Sequence, residues 1–272
     1  MLALTLAACG SSTASVSTSF TPSPEPSPIP SPASLVTPGK LTIGSDLSYA
    51  PQEYIGRDGK AKGFDIDLAR AIAAEMRLQL AVVNIDTPSI VPGFAQQQRR
   101  YDFGISAQPE TADLAQGART LEYFVAGLAI LVPAANPHNI TGPNSLCGLR
   151  VGAERDSSAE RAISQQNERP CASKQVDYHG YTLDNDAVSD LRAGSLDAVI
   201  DDYPVSVLFA HDLSGLKVVP HQFATSKDVM VFPLSGNDDV YNAVGEAFDR
   251  LRRNGTYRKL LHLWNLDEGA LT

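Results

Sequence analysis

From residue 40 onward, apolar positions recur in two rhythms that alternate along the chain. Leu41 and Ile43 alternate with Thr42 and Gly44, a period of two that predicts a strand. Phe64, Leu68, Ile72 and Met76 then fall every fourth residue, one apolar stripe along a helix. Between them, Asp58-Gly59 is a turn signal inside a small hairpin. Further strands are predicted over 81–85, 103–106, 125–132, 148–153, 174–178, 196–200 and 229–232. Helices are predicted over 89–99, over 157–166, and over 184–192 with an Asp/Asn cap. Val240, Val244, Phe248 and Leu251 form another stripe, stopped by Asn254-Gly255, and Tyr257, Leu260, Leu261 and Trp264 form the last. Alternation of this kind implies mostly parallel α/β sheets. Asp46 and Tyr49 follow the first strand, at the end where open α/β sheets bind ligands. An ordinary exposed loop is the plain alternative for that stretch.

The first 38 residues follow neither rhythm. The chain is apolar up to Cys9 and polar directly after it, and Leu-Ala-Ala-Cys resembles a bacterial lipobox, whose cysteine carries the lipid. Residues 1–9 are therefore read as the remnant of a lipoprotein signal; they carry no basic n-region, so the true N-terminus is expected upstream. Residues 10–38 are nearly all Ser, Thr, Pro and Ala, too poor in apolar surface to offset the entropy of ordering. They are expected to form an extended linker between lipid and globular domain. The net charge of −9 with no basic run argues against a nucleic-acid partner. His138, His179, His211, His221 and His262 share no spacing, and no nucleophile or metal constellation stands out, so neither catalytic residues nor a cofactor are assigned.

Three blocks carry a family resemblance. IGSDLSYAPQEY followed by GFDIDLARAIAAEM, then LRAGSLDAVIDDYP at 191–204 and AFDRLRRNGTYRKLLHLW at 247–264, resemble the polar amino-acid family (family 3) of ABC-transporter solute-binding proteins. The usual opening there reads D..Y.PFE, then G...GFDVDLA.AIA. The resemblance implies an α/β, two-lobed periplasmic-binding-protein fold: two mostly parallel sheets with two hinge strands, near 131–133 and 229–232. Residues 40–133 with 229–272 would form the first lobe and 134–228 the second. It further implies a monomeric, extracytoplasmic lipoprotein, anchored through Cys9 to the outer face of the cell membrane, that hands a small solute to a membrane permease and is not an enzyme. A ligand-sensing subunit for a membrane kinase, or a secreted dehydratase on the same fold, are the alternatives. Cys147 and Cys171 each precede a predicted strand and are expected to be bridged, as similar pairs are in some actinobacterial relatives. Two free buried thiols or a metal site are the alternatives, and no histidine is suitably spaced for the latter.

The resemblance also implies a cleft. Asp202 matches the acid that pairs with the solute's α-ammonium; its competing role is to cap a helix starting at Tyr203-Pro204. Asp46 and Tyr49 match first-lobe positions that meet the ligand, and Ser106 and Gln108 lie in the stretch 102–118 that also does. That stretch departs from the pattern DhhhsG.T.T.eR. Pro109 replaces the first Thr, and Leu114 stands where an Arg grips the ligand carboxylate, a fork no Leu can replace. Thr87 replaces a frequent aromatic wall, and Glu154-Arg155-Asp156 replaces K.GT or Q.GT, with Ser157 still offering a hydroxyl. Arg155 is then the candidate to supply the missing cation from the second lobe. The expected solute is amino-acid-like, cationic or zwitterionic, with amines and guanidinium compounds favoured over ordinary α-amino acids.

Overall fold

The structure is a computed structural model that describes residues 27–96 and 99–271. Cys9 and the proposed signal remnant lie outside the described residues. The strands are β1 (Lys40–Ser45), β2 (Ser48–Tyr49), β3 (Glu53–Ile55), β4 (Ala61–Lys62), β5 (Gln79–Asn84), β6 (Phe103–Gly104) and β7 (Arg119–Pro133), then β8 (Arg150–Glu154), β9 (Asp177–Tyr181), β10 (Ala198–Asp202), β11 (Leu216–Val218) and β12 (Phe223–Phe232). The helices are α1 (Phe64–Glu75), α2 (Thr87–Gly93), α3 (Ala112–Gly117), α4 (Ser158–Glu168), α5 (Asp184–Ala193), α6 (Tyr203–Asp212), α7 (Asp238–Arg253) and α8 (Thr256–Leu263).

The apolar stripes read from the sequence are buried as expected. Phe64, Leu68 and Ile72 on α1 and Met76 at its C-terminal cap, with Val240, Val244, Phe248 and Leu251 on α7, are each at most 2% exposed. They cover one face of β5-β1-β6-β12, in which β1 runs parallel to β5 and β6 while β12 runs antiparallel to β6. Along β12 the pleat sends Met230 and Phe232 into this core, and Val229 and Val231 to the opposite face with Ile90 and Tyr101. A second group of strands, β7-β10-β8-β9, is covered on both faces. Leu128, Ile130, Val132 and Ile200 meet α4, whereas Leu131 and Val199 meet α5.

β7 and β12 join the two groups. β7 is 15 residues long, and its first part pairs with β12 from Arg119↔Phe232 to Leu128↔Phe223. From Leu128 to Leu131 it pairs with β10, and from Leu131 to Pro133 with β11. Because the crossing strands stay hydrogen-bonded along their length, the two sheets run on into one strand path. The change of partners falls near residue 128 and at two bulges in β12, Phe223/Ser226 and Asp228/Val229. Bulges twist and bend a strand, which suits a place where two packed bodies meet.

Two local expectations need correction. The linker does not extend to residue 38, because Ile29 is 5% exposed within the first core. Asp239 accepts from the backbone N–H groups of Ala33 and Ser34, and Asp102 from those of Val36 and Thr42. One apolar side chain and backbone hydrogen bonds to two carboxylates, Asp102 buried and Asp239 exposed, hold a proline-stiffened segment that has little freedom to lose. The helix expected over 89–99 is confined to α2, which holds Pro92. Cys147 and Cys171 form a disulfide, with Cα atoms 5.1 Å apart, tying the entry to β8 to the segment after α4.

Candidate functional site

A cleft of about 420 Å³ opens beside the crossing strands. The first core contributes Tyr49, Gln52, Ala107 and Pro109; β7 and β12 contribute Ala126, Gly127, Leu128, Ala224, Ser226 and Asp228. The second core adds Ser158, Arg161, Ala162 and Gln165 from α4, and Asp202 and Pro204 at the start of α6. Both cores thus meet one space, as concave ligand sites at such boundaries do.

Asp202 stands at the start of α6 and at the edge of the cleft. It is the N-cap residue of α6, with Pro204 in the first turn, yet its carboxylate makes no capping bond. Oδ2 instead accepts a 2.8 Å hydrogen bond from the Tyr49 hydroxyl, reaching across the cleft between sequence positions 153 apart. Burial, and then the neighbouring Asp202 carboxylate, raise the Tyr49 phenol well above its usual range, so it remains a donor.

Acids crowd the floor. Asp228 is 2% exposed beside the bulge in β12, and burial, followed by repulsion from Asp65 and Asp202, raises its carboxyl well above the ordinary range. Deeper still, Asp65 accepts from Tyr123 Oη at 2.7 Å and from Ala107 N at 3.0 Å. Glu53 accepts from Ser106 Oγ at 3.0 Å. Glu53 Oε2 and Asp65 Oδ1 are buried without a hydrogen-bond partner. Burial and then the Asp65 charge push the Glu53 carboxyl far up, so it holds its proton. A fully buried Gln52 completes the floor, with both amide atoms lacking a hydrogen-bond partner. A buried, unpaired amide at a cleft wall is an expensive feature that a ligand can redeem.

The sequence-derived candidates do not gather in one place. Tyr49 and Asp202 meet in the main cleft. Asp46, Thr87 and Ser106 knit the loop after β1: Asp46 accepts from Ser48 Oγ at 2.7 Å and from Thr87 N at 3.3 Å, and Thr87 Oγ1 lies 3.2 Å from Ser106 Oγ. Glu154 and Ser157 line a smaller pocket of about 90 Å³ on the second-core side of Tyr49. Gln108 lends its carbonyl to Val229 N, and its Oε1 is buried without a partner. Leu114 packs against the cluster of Ile90, Tyr101 and Val231. Arg155 lies against Gly180 on β9 and lines neither pocket.

Arg161, Gln52 and Asp228 were not picked out in the sequence. Arg161 stands one turn into α4 and is the cation in the lining of the main cleft, six residues beyond Arg155. A signal existed for Gln52, which occupies the Phe of the D..Y.PFE pattern: an amide in an aromatic's place. Asp228 carried none, because it lies in a ten-residue strand whose bulge is invisible in the pattern.

A cleft between two packed bodies joined by two crossing strands defines a two-lobed solute-binding protein. The chain belongs to the bacterial extracellular solute-binding proteins, family 3, whose model matches residues 41–267. It is 26% identical over 242 residues to the arginine-binding protein ArgT of Corynebacterium glutamicum, covering 88% of this chain and 78% of that protein. It is 28% identical over 231 residues to the histidine-binding periplasmic protein of Salmonella typhimurium, covering 82% of this chain and 86% of the other. Among solved structures it resembles an ancestral cationic amino acid solute-binding protein, AncCDT-1, with a TM-score of 0.72 and 25% identity over 83% of this chain and 95% of that one. The relatives are named for binding rather than for catalysis.

Proposed function

We propose that this protein captures a small, cationic, amino-acid-like solute outside the cytoplasmic membrane and delivers it to the permease of an ABC importer. Lipid attached at Cys9 would hold it there. The carrying observation is the charge of the cleft: Asp202 and Asp228 face the space, with Arg161 as the cation of its lining. An ammonium or guanidinium group placed between these acids would relieve their mutual repulsion, which the neutral Tyr49 hydroxyl on Asp202 does not. Arg161 and the Ser158 end of α4 offer a place for a carboxylate, replacing the grip that Leu114 cannot supply. The names of the arginine- and histidine-binding relatives agree with this reading. Capture would close residues before about 128 and after about 228 onto the segment between them, since β7 and β12 change partners there.

The test is a thermal-shift and calorimetry series with L-arginine, L-ornithine and agmatine against L-glutamate and L-glutamine. The cationic compounds should stabilise, because a ligand that binds only the folded state raises stability by RT ln(1 + [L]/Kd). Asp202→Asn should weaken the winner at least about 30-fold, the scale for removing one member of a buried charge pair. Arg161→Ala should weaken arginine but not agmatine, which lacks the carboxylate. Preference for glutamate or glutamine would overturn the reading.

A further inference from the structure

The smaller pocket has chemistry that the main cleft does not use. It is lined by Glu154, Asp184, Asp201 and Asp202 together with Tyr49, Ser157 and Ser158, and no Lys, Arg or His lines it. Asp201 is 9% exposed; its Oδ1 accepts from Asp202 N at 2.7 Å, while Oδ2 is buried with no hydrogen-bond partner. β10 produces this arrangement: it ends in two successive acids, and the pleat sends them to opposite sides. Asp202 turns to Tyr49 and the main cleft, and Asp201 is left among the acids of the second lobe. Asp184 joins it from the first turn of α5. The linings of the two spaces share Tyr49, Ser158 and Asp202.

We infer that the Glu154–Asp184–Asp201 pocket is a second cation subsite, and that the solute carries two cationic ends, one beside Asp202 and the other beside Asp201. This rests on the proposed function and sharpens it. The pocket is small, about 90 Å³ against about 420 Å³, so it takes the end of an extended chain rather than a whole amino acid. An ammonium is donor-only and gives Asp201 Oδ2 the partner it lacks. A metal ion is the poorer occupant: among the described residues no cluster of three or more His, Cys, Asp or Glu is arranged to hold one. The raised carboxyl groups of Asp201 and Asp184, whose leading cause is burial, agree with a site short of positive charge.

The experiment compares solutes that differ only by the second ammonium: L-ornithine with L-norvaline, and 1,4-diaminobutane with n-butylamine. Calorimetric Kd values are measured for wild type, Asp184→Asn and Asp201→Asn. The asparagine at 201 keeps an oxygen for Asp202 N, and the one at 184 lies at a helix start, so one fold-preserving variant remains if the other fails. In wild type the dicationic member of a pair should bind at least tenfold more tightly. Either variant should bring that ratio close to one while changing the Kd of the monocation by less than about threefold. The inference is overturned if the ratio in wild type is near one while the monocations bind, or if it survives both variants. It is also overturned if Ca²⁺ or Mg²⁺ alone gives the same Asp184-dependent stabilisation. If neither pair binds and L-arginine and agmatine also fail, the proposed function falls, and this inference with it.

Discussion

Gln52 shows how a single side chain can trade stability for binding. It is fully buried, and neither end of its amide finds a partner. An unsatisfied buried polar group costs about 1–3 kcal/mol. Gln52→Leu should therefore raise the urea-unfolding free energy of the ligand-free protein by about 1 kcal/mol or more, while lowering affinity for the solute. A variant that is less stable and binds as before would show that the amide serves packing alone. At this scale the sequence revealed residues that act through identity at a patterned position. Asp202 and Tyr49 were visible because a short motif fixes where they stand. Arg161 was not, since which face of α4 borders the cleft depends on the packing of Ala159 and Ile163 into the second core. Asp228 was hidden because one extra residue in a strand changes which side it faces.

Among the elements, long stripes were read well and short pieces poorly. α1, α7 and α8 follow from three- and four-residue spacing, whereas α3 did not declare itself and α6 showed only its start, at Tyr203-Pro204. The six residues of α3 include none that is buried, and α6 is apolar almost all round, so neither has a clear stripe. The ordered part of the N-terminal segment escaped because composition reports average tendency, and one isoleucine in the right place outweighs it. The disulfide is the strongest single constraint on an element, for it closes a separation of 24 residues around α4. In the chain-entropy model such a loop is worth about 3 kcal/mol. Replacing both Cys147 and Cys171 by Ser should lower Tm by roughly 6–12 °C. An unchanged Tm under non-reducing conditions would show that strain or denatured-state structure offsets the crosslink.

For the whole molecule, the governing feature is acid concentrated where the lobes meet. Asp184 is pushed up to about 6, by burial first and then by Glu154 and Asp202. A carboxyl raised in the folded state stabilises fully below its unfolded value of about 4, and that stability is lost as pH rises through about 6. Asp184→Asn should therefore stabilise the ligand-free protein at pH 7.5 and do little at pH 4, measured as the difference in urea midpoints from wild type. A cation favours the ionised carboxylates, so affinity should move the opposite way and rise between pH 5 and 7.5, with protons released on binding. Equal midpoint differences at both pH values would remove Asp184 from the account. Neither trend could be read from the net charge of −9, which says how much acid there is but not where folding collects it.

The segment before β1 has its own consequence for movement. Ile29 sits in the first core, and Ala33, Ser34 and Val36 are tied to Asp239 and Asp102 of the same lobe. The chain from Ile29 to Val36 thus shares the first lobe's frame of reference. If the lobes close as proposed, the first lobe is the stator and the second the moving arm, with α4, α5 and α6 travelling as one plate. An observer fixed to the first lobe would see an empty protein and a full one differ in the position of that plate, while the surface of α7 stays where it was.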